Sequence, residues 1–173
     1  MNSNRHMEEE EIRMPGIHGR LLADSENVAG SFSMASGEII RGIFEKYKTI
    51  AVYGMSKDPN KPAHQVPVHL RSEGYNIIPI NPTAPEISGL KSYARLEDVP
   101  EHIEVLDVFR PSEQAAAVVR EAIARKEKFG DICVIWLQEN IKSEEARRLA
   151  EGAGIVFIED LCLSKEFRRL YPK

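Results

Sequence analysis

Thr49-Ile50-Ala51-Val52-Tyr53-Gly54-Met55-Ser56-Lys57-Asp58-Pro59-Asn60-Lys61-Pro62 is the stretch whose reading decides the fold. Its first residues are apolar and rich in β-branched side chains, the pattern of a strand covered on both faces. Gly54 ends that run, a polar loop follows, and a helical pattern starts near Pro62. Strand, glycine turn and helix N-terminus in that order make an anion site. Glycine lets backbone come close to a ligand, and the helix end offers unpaired N–H groups at the positive end of its dipole. The turn is Gly54-Met55-Ser56 and not G-x-G-x-x-G, so a plain strand-to-helix connection is the competing reading.

Working outward from this stretch, strands alternate with helices. Upstream, Ser36 can cap a helix over 37–47, with Ile39, Ile40, Ile43 and Phe44 on one face. Downstream, Pro67 would break an internal helix bond, so the regular helix is expected to begin at 63–65 and to stop at Gly74. The second strand is 76–80, ended by Asn81-Pro82. Pro82, Pro85, Gly89 and Pro100 then leave room only for a short helix near 96–99. The third strand, 104–109, closes at Arg110-Pro111, and Ser112 caps a helix to about residue 128 that stops at Gly130. The fourth strand is 132–137, and a helix capped by Ser143 ends at Gly152. The fifth strand is 155–158, and a short terminal helix covers 165–170. The expected fold is α/β: a Rossmann-like doubly wound parallel sheet of about five strands with helices on both faces. Strand order 3-2-1-4-5 is expected, with the ligand crevice at the ends of strands one and four.

The 173 residues suit one domain, at 37–173, behind an N-terminal extension, at 1–36, that is expected to be partly disordered. The formal net charge is −4, which argues against general nucleic-acid binding. Much of it sits in 1–36, where Arg5, Arg13 and Arg20 face Glu8, Glu9, Glu10, Glu11, Asp24 and Glu26, a balance of −3. No apolar stretch reaches the roughly 20 residues needed to span a bilayer. Cys133 and Cys162 make neither a disulfide framework nor a four-ligand metal site, so a reducing cytoplasm is expected.

Ligands of such sheets lie beyond the carboxyl ends of the strands. Those ends carry Gly54-Met55-Ser56, Asn81-Pro82, Val108-Phe109-Arg110-Pro111, Trp136-Leu137-Gln138 and Glu159-Asp160. A NAD-binding domain normally has Asp or Glu at the end of its second strand to hold the ribose; here the residue is Asn81. Lys57, Lys61 and Arg110 can neutralise phosphates, although Arg110 can equally pair with a surface acid. Trp136 and Phe109 suit the core as well as a ligand. His64 and His69 are five apart, not the four that would put both on one helix face for a metal. There is no nucleophile elbow, no H-E-x-x-H and no Walker loop.

The order and spacing of the whole set resemble a known family. Ala51-Val52-Tyr53-Gly54-Met55-Ser56, Lys61-Pro62, Gly74-Tyr75-Asn76-Ile77-Ile78-Pro79-Ile80-Asn81-Pro82 and Gly89-Leu90-Lys91-Ser92-Tyr93 lead the match. Leu96-Glu97-Asp98-Val99-Pro100, Asp107-Val108-Phe109-Arg110 and Trp136-Leu137-Gln138 complete it. Together they resemble the small stand-alone CoA-binding proteins of Rossmann type, which look like the CoA-binding domain of the succinyl-CoA synthetase alpha subunit. The resemblance implies coenzyme A, or an acyl-CoA, across the strand ends. It implies pyrophosphate at Gly54, Met55 and Ser56, with Lys61 and Pro62 at the entrance. Asn81, Pro82, Val108, Phe109 and Arg110 would border the adenosine side, and Trp136 and Gln138 the far side. The family often has Gly where this chain has Asn140, and Arg where it has Leu161. Full ligases of this type add a domain with a phosphorylatable His, and the expectation is that this chain alone completes no acyl-CoA synthesis. A protein that binds without a chemical step is expected. The rival readings are a dehydrogenase-like NAD(P) protein and a structural subunit without ligand. A homo-oligomer or a protein partner is compatible with any of them.

Overall fold

The computed structural model of the protein describes residues 28–173. In chain order its elements are α1 (Val28–Lys46), β1 (Thr49–Tyr53), α2 (Pro62–Ser72), β2 (Asn76–Ile80) and the small hairpin β3 (Glu86–Ile87) and β4 (Leu90–Lys91). A 3-10 turn (Leu96–Asp98) leads to β5 (Val105–Val108), α3 (Ser112–Phe129), β6 (Val134–Leu137), α4 (Glu144–Gly152), β7 (Val156–Ile158) and α5 (Leu163–Leu170). The five long strands form one sheet in the order β2-β1-β5-β6-β7, and every neighbouring pair is parallel. Successive side chains on each strand point to opposite faces. On one face, Ile40, Phe44, Val66, Leu70, Leu163 and Phe167 of α1, α2 and α5 pack on Ile50, Val52 and Trp136. On the other, Val118, Val119 and Ala122 of α3 and Ala146 and Ala150 of α4 pack on Ala51, Leu106 and Ile135. This is the Rossmann-like α/β architecture with helices on both faces.

Three local expectations are corrected. The strand order, counted as above, is 2-1-3-4-5 and not 3-2-1-4-5, so the chain reverses after its second strand. The crevice therefore opens between β1 and β5 instead of between the first and fourth strands. Pro79 gives the physical reason. It has no N–H for a second ladder, and β2 accordingly pairs fully only with β1, leaving its outer side a single bridge to Tyr93. Helix α1 begins at Val28, so Ser36 lies inside it and does not cap it. The first 27 residues of the expected extension lie outside the described residues. Finally, α2 starts at Pro62 and holds Pro67 in its interior. A proline there leaves the carbonyl four residues back without its helical donor. That carbonyl belongs to Ala63, and it accepts from the Ser56 N–H at 3.1 Å.

Where a doubly wound fold usually places a helix, the β2–β5 crossover has only the hairpin and the 3-10 turn. Arg125 of α3 holds it in place. Its buried guanidinium donates to the Leu96, Val99 and Glu101 carbonyls at 2.8–2.9 Å and pairs with buried Asp131 at 2.8 Å. The crossover carbonyls thus find donors that helix formation would otherwise supply.

His69 joins α2 to α5. Its Nδ1 lies 2.8 Å from Ser164 Oγ, and its Nε2 lies 3.5 Å from Glu73. Burial pushes the imidazole below its ordinary pKa; Arg168 and Lys173 add to this and Glu73 opposes it. The folded chain therefore sheds the proton more readily than the unfolded one. The resulting stability is present above the ordinary histidine pKa of about 6.5 and is lost as pH falls through the lower folded value. Melting scans from pH 7.5 to 5 should show a smaller fall for His69→Gln than for wild type; parallel curves would remove His69 from the acid response.

Candidate functional site

The site is built where β1 and β5 end side by side. Gly54 follows β1 with φ of 90°, and a Cβ on it would come within 2.7 Å of the Phe109 carbonyl oxygen. Only glycine lets the two strand-end loops lie this close. The turn's amides are engaged within the protein. Gly54 N–H donates to the Ile80 carbonyl, Met55 N–H to Val52, and Ser56 N–H to Ala63. The Lys57 and Ala63 amides, by contrast, have no protein acceptor among the described hydrogen bonds. His64 fixes the loop from behind: its Nδ1 donates to the Ser56 carbonyl at 2.7 Å, which leaves Nε2 to accept from Ser88 Oγ at 3.1 Å.

Next to this turn lies an open cavity of about 440 Å³. Lys61, Pro62 and Ala63 form one side at the start of α2, and Phe109, Arg110 and Pro111 form the second. Gln138, Glu139, Asn140, Ile141 and Cys162 close the third. Arg110 pairs with no carboxylate among the described residues; its guanidinium stands 5.7 Å from the Tyr53 ring centroid. Lys57 and Lys61 also have no acidic partner among the described ion pairs, whereas Glu139 is tied to Lys165 at 2.6 Å. Lys61 and Arg110, two lining cations without carboxylate partners, beside the unengaged Ala63 amide make an anion-attracting rim on a largely apolar cavity, whereas Lys57, in the loop after β1, is not among the lining residues.

Of the residues singled out in the sequence, Lys61, Pro62, Phe109, Arg110 and Gln138 line this cavity. Asn81 and Pro82 lie in a separate niche of about 250 Å³ with Thr83, Ala84, Pro85 and Ser92. The Asn81 amide braces the loops, donating to the Met55 carbonyl and accepting from Thr83. Met55, Val108 and Trp136 are buried and offer no side-chain surface. Trp136 Nε1 donates to the Leu161 carbonyl at 2.7 Å, which holds the loop that carries Cys162. Asn140 has φ of 67°, a left-handed conformation that glycine or asparagine accepts, and its N–H donates to Asp160 at 2.8 Å. Pro111, read at the end of the third strand, also lines the cavity, whereas no sequence signal gave Ala63, Ile141 or Glu139 a site role. Asp107 did carry a signal, as an acid in the middle of an apolar strand. It is fully buried with Oδ2 unpartnered, and burial pushes its carboxyl up to about 7 against opposing hydrogen bonds from Gln138 and the Val108 backbone. No cluster of three metal-ligating side chains occurs among the described residues.

A family model described as a CoA binding domain matches residues 48–168. The chain belongs to the CoA-binding domain family. Within reach of that family, it is 36% identical over 124 residues to the uncharacterized protein YneT of Bacillus subtilis (strain 168), covering 72% of this chain and 88% of the relative. A solved Thermus thermophilus protein superimposes with a TM-score of 0.72 at 36% identity, covering 78% of this chain and 98% of that one. The ADP-forming acetate–CoA ligase II of Archaeoglobus fulgidus is 29% identical over 107 residues, and this chain spans only 16% of it. The CoA-binding family thus joins small proteins of this size with one segment of a much larger ligase. No helix among the described residues is long and apolar enough to cross a membrane.

Proposed function

We propose that the protein binds coenzyme A or an acyl-CoA at the C-terminal edge of its sheet and performs no chemical step on it. Phosphates of the ligand meet Lys57, Lys61 and Arg110 beside the Gly54–Ser56 turn, and the pantetheine arm enters the cavity past Phe109 toward Gln138 and Cys162. The adenosine end extends toward Asn81 and Pro82. The observation that carries this reading is the pair of lining cations, Lys61 and Arg110, left without carboxylate partners beside the close approach of Gly54 to Phe109. Membership of the CoA-binding family supports the identity of the anion. The Asn81 amide, already engaged by the loops, leaves no carboxylate at the place where NAD proteins hold a ribose. The turn amides are engaged as well, so the phosphates rely on side chains and on the Lys57 and Ala63 N–H groups.

Thermal melting with CoA, acetyl-CoA, NAD and NADP in parallel tests this. A ligand at about 100 times its dissociation constant adds roughly 2.7 kcal/mol. For a chain of this length that raises Tm by about 5–10 °C. The shift is expected with CoA or acetyl-CoA alone; a shift only with NAD or NADP would overturn the assignment, and no shift with any would favour a subunit without ligand. Arg110→Ala is expected to weaken CoA binding about tenfold or more, since a hydrogen bond to a charged group contributes roughly 1.5–3 kcal/mol. Unchanged affinity would remove Arg110 from the phosphate rim.

A further inference from the structure

Gln138 follows β6 directly. The residue lines the cavity yet is buried, and both ends of its side-chain amide are engaged. The Leu163 N–H, at the start of α5, approaches Oε1 at 3.4 Å, and Nε2 donates to Asp107 Oδ1 at 2.6 Å. A backbone N–H can only donate, so Oε1 has to face α5. Nε2 therefore faces Asp107 whether or not the carboxyl carries a proton. The amide nitrogen has two hydrogens, and Asp107 accepts one of them. The second has no acceptor among the described hydrogen bonds, and the residue lines the cavity.

We propose that Asp107 is a positioning residue, which holds Gln138 so that its second amide hydrogen is presented to a carbonyl oxygen on the pantetheine arm of the ligand. The inference rests on the CoA reading and adds a hydrogen-bond donor inside the cavity. A carboxyl with an unpartnered oxygen in the middle of β5 is costly, and an apolar residue of similar volume would fill the place at less cost. The bond to Gln138 supplies a reason for keeping it. Without Asp107 the Gln138 side chain keeps only the long contact from Leu163 and is free to turn its nitrogen away. Carbonyl acceptors come from two sources: the amides of the arm, present in every CoA species, and the thioester, present only in acyl-CoA.

The test measures affinity for CoA and for acetyl-CoA by calorimetry on wild type, Asp107→Asn, Asp107→Leu, Gln138→Ala and the Leu/Ala double variant. Asp107→Leu is expected to weaken binding about three- to tenfold, the worth of one ordinary hydrogen bond. Asp107→Asn, whose amide oxygen still accepts from Gln138, stays within about twofold of wild type. In the Gln138→Ala background, Asp107→Leu has no further effect. Equal losses for CoA and acetyl-CoA identify an arm amide as acceptor, and a loss confined to acetyl-CoA identifies the thioester. Wild-type affinity in Asp107→Leu, or the same loss with and without Gln138, overturns the positioning role while the CoA reading stands. A wild-type protein that binds neither ligand overturns both. Where Asp107→Leu does not fold, the Gln138 side-chain amide resonances of the wild type decide: one hydrogen shifts when CoA or acetyl-CoA is added, and if neither moves the proposal fails.

Discussion

Gly54→Ala is expected to destabilise the protein by roughly 3 kcal/mol or more. Two effects act at the same atom. The backbone there has φ of 90°, where an L side chain is strained by about 1–3 kcal/mol. The added Cβ would also come within 2.7 Å of the Phe109 carbonyl oxygen, a backbone atom that cannot swing aside like a flexible side chain. Gly74 supplies an internal control. Its φ is 93°, but nothing lies within 4 Å of a Cβ built on it. Gly74→Ala therefore reports strain alone, and the difference between the two variants reports the clash. At about 2–4 °C per kcal/mol for a chain of this length, Gly54→Ala should melt roughly 6–12 °C below wild type and clearly below Gly74→Ala. Because relief of the clash displaces Phe109 and Arg110, CoA affinity should fall with it. Equal melting temperatures for the two variants would sink this account of the turn.

Asp107→Asn is expected to flatten a large pH dependence. Burial raises the carboxyl to about 7 in the folded chain, from the ordinary value of 3.8. Below the ordinary value both states are protonated, and the folded state is at no disadvantage. As pH rises from about 4 to 7 the unfolded chain ionises while the folded carboxyl keeps its proton, so stability declines across that window and levels off once the folded carboxyl also ionises. About three pKa units correspond to on the order of 4 kcal/mol between pH 4 and 8. Asparagine has the shape of the neutral carboxyl and no charge to bury. Subtracting the variant's unfolding free energy from that of wild type across pH 4–9 cancels the other groups. The difference should move against wild type by a few kcal/mol and level off above about pH 8. A difference independent of pH would mean that Asp107 ionises at its ordinary value.

The fold was legible wherever local pattern and local physics coincide. The strand over 50–53, the glycine after it and the helix ended by Gly130 follow from an apolar run, a turn and a cap, and each lies within a few residues of where it was expected. Strand order depends on contacts between segments far apart in sequence, and periodicity does not carry it. One local residue did: Pro79 disfavours a central position for β2. The anion-attracting rim was readable as basic residues at strand ends. Of the third wall Gln138 was readable, but Ile141 and Cys162 were not, because they reach it through the folding of two loops. Nor did sequence show that Ser56 N–H is engaged by the carbonyl that Pro67 leaves open. That bond ties the turn after β1 to the first turn of α2, at the carbonyl to which Pro67 has no N–H to donate.

The Arg125 brace makes a region without regular structure as slow to open as the helix that holds it. The Ile103 N–H donates to Asp131, the buried partner of Arg125, at 3.2 Å. Leu96 and Val99 are buried in the same cluster as Val118, Val119 and Ala122 of α3. Segment 96–103 therefore has no low-energy route of its own for reaching solvent. In native-state hydrogen exchange the Ile103 amide should be protected to nearly the depth of α3 and exchange with it as one cooperative unit. The exposed tip of the hairpin at Ser88 and Gly89 should exchange orders of magnitude sooner.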